Sequence, residues 1–204
     1  MTIRAVAFDI GDVLERTDPI QSFTGPWRDR LGMSEEEFEA ALALVDADRA
    51  ECGGLSEAEL ARQYAAALGL SATQTAEFMA GMWDWYCGEL DTELAAFAAS
   101  LRPRFRTGIL SNSVDGARRE EQARYQFEQL VDVIVYSHEA GVAKPDPHAF
   151  RLLCEGLGVQ ADELVFLDDL PGHIDAACAL GIHGIVHVGT PESIAAVEAL
   201  TLSV

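Results

Sequence analysis

The sequence predicts an α/β fold, a doubly wound parallel sheet of Rossmann-like form with a helical insert after its first strand. Short, nearly continuous apolar runs recur along the chain, the pattern of strands buried on both faces. Helical signals separate them. One long interval, residues 15–93, carries helix starts and no strand signal.

The first apolar run spans residues 3–8 and ends abruptly in Asp9. Inside the insert, Ser34 with Glu37, Ser56 with Glu59 and Ser71 with Gln74 each fit a capping box, in which side chains satisfy the free amides of a helix start. Phe38, Ala41, Leu42 and Val45 follow i, i+3, i+4, i+7 spacing, and Leu60, Tyr64 and Leu68 follow i, i+4, i+8, so each helix has one apolar stripe. Trp27, Trp83, Trp85 and Tyr86 are expected to join these helices rather than to line an entrance. Further strands are read at residues 107–110, 131–136, 164–167 and 184–188. Pro147 opens a helix that stops at Gly158, and Thr190-Pro191 begins a last one. The expected division is a core of residues 1–14 and 94–204 and a helical cap of residues 15–93.

At 204 residues the chain can bury one good core plus a small inserted unit. Fourteen Lys and Arg against 34 Asp and Glu give a net charge of −20, a field that repels nucleic-acid backbones and anionic lipid surfaces. A phosphate-bearing ligand would therefore need a local cation or a divalent metal to reverse the sign. Cys52, Cys87, Cys154 and Cys178 form no Cys-x-x-Cys pair and read as reduced, mostly buried thiols. The N-terminal apolar run is too short for a signal peptide, and no stretch approaches the ~20 apolar residues of a membrane span. A soluble cytoplasmic protein is expected. Nothing in the sequence specifies an oligomeric state.

In a doubly wound sheet, ligands bind beyond the carboxyl ends of the strands. Asp9 sits at the first such end, followed by Gly11 and Asp12; Ser111 and Asn112 end the second strand. Lys144, fixed by Pro145, follows the third, and the fourth ends in Asp168 and Asp169. Three carboxylates, a cation and a Ser/Asn pair converging on one crevice suit Mg²⁺ and a phosphoryl group, since oxygen ligands select that hard ion.

"FDIGDVL", "ILSNS", "GVAKPDP" and "VFLDDLPGHIDAA", in this order and spacing, resemble the four motifs of the haloacid dehalogenase superfamily of hydrolases. The insert looks like that family's small α-helical cap. "GGLSEAEL" is similar to a cap segment of a subgroup that includes sugar-phosphate phosphatases and the phosphatase domain fused to epoxide hydrolases. The resemblance implies that Asp9 attacks phosphorus to form an aspartyl-phosphate that water hydrolyses. It implies that Ser111 and Asn112 hold a phosphate oxygen, that Lys144 neutralises charge, and that Mg²⁺ is held by Asp9, the Gly11 carbonyl and Asp169 with support from Asp168. The expected substrate is a small phosphate monoester, with sugar phosphates among the candidates.

Two positions depart from the pattern. Gly11 stands where most phosphatases of this family carry the Asp that acts as general acid and base, help worth typically 10²–10⁴-fold. Asp12 is the nearest substitute, although Asp there also serves as a turn-former. His173 stands where relatives place Asn or Asp, and reads as a surface residue at a helix start. The missing Asp keeps two alternatives open: a metal-free 2-haloacid dehalogenase using the same Asp9 on carbon, and a weakly catalytic phosphate-binding protein. The Asp168-Asp169 pair opposes the dehalogenase, because paired acids repel a departing halide and a substrate carboxylate.

Overall fold

The computed structural model describes residues 2–201; residue 1 and residues 202–204, the outer ends of the expected core segments, lie outside them. Along the chain run β1 (Ala5–Phe8), β2 (Glu15–Arg16), α1 (Gln21–Leu31), α2 (Glu35–Leu42), α3 (Ala47–Glu51), α4 (Glu57–Leu68), α5 (Ala72–Cys87), β3 (Glu89–Leu90) and α6 (Thr92–Ser100). Then follow β4 (Arg106–Ser111), α7 (Ala117–Tyr125), α8 (Phe127–Leu130), β5 (Val133–Tyr136), α9 (Ser137–Ala140), α10 (Pro147–Leu157), β6 (Leu164–Asp168), α11 (Pro171–Ala179), β7 (His183–Val186) and α12 (Thr190–Thr201).

Five parallel strands form the main sheet in the order β5-β4-β1-β6-β7. The central strand, β1, is wholly apolar and buried along its length, as a strand covered on both faces must be. Its side chains alternate between two cores. Val6 and Phe8 pack with Ile109, Leu167, Leu94 and Val197 on one face; Ala5 and Ala7 pack with Leu110, Phe166, Phe150 and Leu153 on the other. From β1 the chain moves outward to β4 and β5, then returns to the opposite side of β1 with β6. The strand order therefore reverses beside β1, where a crevice opens beyond the carboxyl ends. Phe8 lies level with Ile109 of β4 and Leu167 of β6, so the residues just past all three strands are neighbours.

The insert holds five helices. All three capping boxes read from sequence are formed, at Ser34, Ser56 and Ser71. The other two helices lack that signal: α1 has no side-chain cap and contains Pro26, and the five-residue α3 is capped by Asp46. Of the aromatic residues expected to join the helices, Trp27 packs with Phe23 and Tyr64 around the Phe78 ring, at 5.3, 4.9 and 5.0 Å, and Trp85 of α5 stacks with Phe23 of α1 at 6.2 Å. The antiparallel β2–β3 pair, two residues on each side, is too short to leave a sequence pattern. One expectation is corrected: Cys52 and Cys178 are exposed, because they fall on outward positions, and only Cys87 is fully buried. Among the described residues, no helix is long and apolar enough to cross a membrane.

The insert touches the core at specific points. The Glu57 amide donates to Asp115 (2.8 Å), the Arg119 guanidinium donates to both Glu57 carboxylate oxygens (3.0 and 2.9 Å), and the Ser137 hydroxyl donates to the Glu51 carbonyl (2.7 Å). Next to Glu51, Gly53 has φ +72°, and a Cβ there would lie 2.0 Å from the His138 carbonyl oxygen. Only glycine permits so close an approach in the left-handed region. Gly53→Ala should therefore lower the urea midpoint by the equivalent of at least about 1–2 kcal/mol from the backbone conformation alone, with the clash adding to it. An unchanged midpoint would mean that this contact is not formed.

Candidate active site

Asp9 follows directly from β1, and its amide donates to the Leu167 carbonyl (2.8 Å), which locks the residue against β6. Its carboxylate accepts from the Ile10 amide (2.7 Å) and pairs with the Lys144 ammonium (2.8 Å). The same ammonium pairs with Asp168 at 2.7 Å. Asp168 also accepts from the Leu170 amide (2.9 Å), and the His173 Nδ1 lies 3.0 Å from both of its oxygens. The side chains of Lys144 and Asp168 are fully inaccessible, and Asp9 keeps only 8% of its surface. Removing one partner of such a buried pair typically costs 3–5 kcal/mol, because a charge is left uncompensated.

Asn112 holds Lys144 in place. Its side-chain oxygen accepts from the Lys144 amide (2.8 Å), and its side-chain nitrogen donates to the Lys144 carbonyl (2.9 Å). Sequence reasoning gave Asn112 to the phosphate; the structure commits its side chain to the lysine backbone, because β4 ends level with the segment that carries Lys144. Ser111 is buried at the same strand end and donates weakly to the Asn112 carbonyl (3.3 Å). Asp12 has φ +53°, is exposed, and accepts from the Thr17 amide (3.2 Å) and hydroxyl (2.8 Å). Those are the bonds of a turn-former. Gly11 is exposed, and a Cβ built there meets nothing within 4 Å.

Burial pushes the Asp9 carboxyl up to about 6, against the pull of Lys144 and with a further push from Asp168. Burial works on Asp168 in the same direction, but the His173 hydrogen bond and Lys144 outweigh it and hold this group below the usual range. Asp169 is half-buried and raised, first by burial and then by the charge of Asp168. Two carboxylates thus share one ammonium with a third close by, and the excess negative charge fits a hard cation with oxygen ligands. Ligand atoms of Asp9, Asp168 and His173 lie within 4.8 Å of one another. Donors already occupy both Asp168 oxygens, and Asp169 is not among the three residues whose ligand atoms converge.

Three acids near the site escaped sequence reasoning. Glu51, at the end of α3, faces Asn112 with 3.5 Å between Oε2 and Nδ2. Glu15 and Glu121 are wholly buried between β2, α5 and α7. Both Glu15 oxygens and one Glu121 oxygen have no hydrogen-bond partner among the described residues, while Tyr136 donates to the other Glu121 oxygen. Burial, followed by the charge of Glu121, pushes Glu15 up to about 10; burial chiefly pushes Glu121 up to about 8. Glu121 sits in the charged run "ARREEQARY". Sequence cannot tell it from the solvated acids beside it.

A family model described as haloacid dehalogenase-like hydrolase matches residues 3–181. Acyl-CoA dehydrogenase family member 10 of Mus musculus is 38% identical over 88 residues, which are 43% of this chain and 8% of that protein. Hexitol phosphatase A of Escherichia coli (strain K12) is 25% identical over 198 residues, 94% of this chain and 85% of its own length. The chain spans less than half the length of the first curated relatives it matches. Among solved structures, a HAD family enzyme of Bacteroides thetaiotaomicron in complex with magnesium and inorganic phosphate superposes with a TM-score of 0.76 at 22% identity. That match covers 90% of this chain and 93% of the other.

The raised pKa values of Glu15 and Glu121 make a prediction about stability. An unfolded Glu titrates near 4.5, so between there and about 8 the folded chain holds more protons at Glu121 than the unfolded one. Stability must then fall as pH rises through that window. Glu121→Gln should remove its share, so that urea unfolding at pH 5 and pH 8 differs less in the variant than in the parent by more than about 1 kcal/mol. A variant whose stability falls as steeply as the parent's would contradict the buried neutral acid.

Proposed function

Because the chain belongs to the haloacid dehalogenase-like hydrolases, we propose that this hydrolase is a Mg²⁺-dependent phosphatase acting on a small phosphate monoester. The observation that carries the reading is the Lys144 ammonium 2.8 Å from Asp9 and 2.7 Å from Asp168 at the strand-order reversal. Asp9 is the nucleophile: its carboxylate oxygen bonds to phosphorus as the ester P–O bond breaks, and the leaving alkoxide takes up a proton. Water then attacks the aspartyl-phosphate, releasing inorganic phosphate and restoring the carboxylate. Lys144 screens the charge of Asp9 from the incoming dianion, and the Ser111 hydroxyl holds a phosphoryl oxygen. Asn112 acts on the phosphate through Lys144. Mg²⁺ would be held by Asp9, Asp169 and the Gly11 carbonyl with Asp168 in support, and when bound would neutralise phosphoryl charge.

The five-helix insert serves as the cap over the crevice in this reading, and the sugar phosphatases among the relatives support sugar phosphates as substrates. A metal-free dehalogenase fits less well, since Asp9, Asp168 and Asp169 outnumber the one lysine and their net negative charge would oppose a substrate carboxylate.

Phosphate and halide release, assayed over a panel of phosphate esters and 2-haloacids with Mg²⁺ and with chelator, tests the proposal. Phosphate release that needs both metal and Asp9, lost in Asp9→Asn, is expected; halide release in chelator would overturn it. Gly11 adds a second expectation. The space around it admits a side chain, so Gly11→Asp should supply the missing proton donor and raise kcat at least tenfold on esters with poor leaving groups, within the 10²–10⁴-fold range of general acid help. No gain would mean that another group already donates that proton.

A further inference from the structure

We infer that Glu51 of the insert is a specificity-determining residue, which favours phosphate esters carrying a hydroxyl donor beside the phosphate and rejects those carrying a carboxylate there. The inference rests on the phosphatase reading for the site, but concerns only the organic part of the ligand.

Helix α3 has two contrasting residues at its end. Ala50 is buried among Val45, Leu55 and Leu60 in the apolar interior of the insert. Glu51, one position on, is turned about 100° around the helix and faces the crevice, where its Oε2 lies 3.5 Å from the Asn112 side-chain nitrogen. Asn112 in turn grips the backbone of Lys144. Glu51 is close enough for Lys144 and His173, which both contact Asp168, to act on its carboxyl. Burial raises the pKa of Glu51 first of all, with Asp48 on the preceding turn adding to the rise. The carboxylate is therefore poorly solvated, and it looks across at the place where the phosphoryl group and its first organic atoms must sit.

A half-buried carboxylate beside an anion site opposes every phosphate ester to some degree. A ligand hydroxyl that donates to it offsets that cost, whereas a ligand carboxylate adds like-charge repulsion in a medium that screens it weakly. The effect is thus a difference between ligands rather than a uniform gain. The position is built rather than incidental. The Glu51 carbonyl accepts from the Ser137 hydroxyl at 2.7 Å, and the close approach at Gly53 pins the following turn to His138. Because that anchor is the backbone carbonyl, replacing the side chain leaves it in place.

Glycerol 3-phosphate and 3-phosphoglycerate are a suitable pair, since one bears a hydroxymethyl group where the other bears a carboxylate. Their equilibrium binding by calorimetry, in Mg²⁺, should be compared on Asp9→Asn and on Asp9→Asn with Glu51→Gln, so that turnover does not intervene. The first protein is expected to prefer glycerol 3-phosphate at least tenfold. Glu51→Gln should close most of that gap by weakening glycerol 3-phosphate and tightening 3-phosphoglycerate, and Glu51→Asp, which keeps the charge, should retain the preference. Equal affinities at the start, a gap that survives Glu51→Gln, or a parallel loss for both esters would overturn the inference. A preference that follows Glu51, alongside an Asp9-containing parent that releases phosphate from no ester of the panel, would overturn the phosphatase reading alone; binding of neither ester would overturn the inference.

Discussion

One buried ammonium organises this site. Lys144 cannot be solvated where it lies, so it must be neutralised by groups that the fold brings to it, and Asp9 and Asp168 arrive from the ends of adjacent strands to do so. That requirement ties together the register of β1 with β6, the Leu167–Asp9 backbone bond, and the grip of Asn112 on the lysine backbone. The pair of acids exceeds the charge of the lysine, and Asp169 stands beside them. A phosphate dianion can approach such a place only with further positive charge, which is why the chemistry of this crevice points to a divalent cation.

The second constraint is the seam between insert and sheet. Polar and charged groups are buried there in a way that ordinary cores avoid: Glu15 and Glu121 retain unpaired oxygens, and the Cys87 thiol beside them is pushed up to about 12. Kept neutral, these groups lie behind Asp9 without adding to the negative charge that faces the ligand. Glu51 differs because it faces the crevice. The two arrangements place carboxyl groups near Asp9 in different settings, one set buried and neutral and the other facing the crevice.

Much of this was legible in sequence, and the reasons differ by element. Strands buried on both faces leave unbroken apolar runs, and capping boxes have a fixed three-residue spacing, so β1, β4, β6 and the starts of α2, α4 and α5 could be read with small errors at the ends. Asp9 and Asp168 were legible because each sits at a strand end, where a charge stands out against the apolar run before it, and Lys144, in the loop beyond α9, because it stands before Pro145 after an uncharged stretch. The bonds of Asn112 to the Lys144 backbone had no sequence signal, since sequence cannot say which backbone lies level with a strand end. Glu51, Glu121 and the two-residue strands were not legible: a glutamate in a charged helix looks the same whether it faces water or a crevice, and pairing that spans two residues has no period.

The central claim is that Asp9, held by Lys144, takes the phosphoryl group. Its most direct test is mass spectrometry on protein mixed briefly with acetyl phosphate and Mg²⁺ and quenched in acid. The account predicts a phosphoryl mass gain on the peptide containing Asp9 that hydroxylamine removes. A protein that turns over phosphate esters yet never carries that mass, or carries it on another residue, would contradict the account.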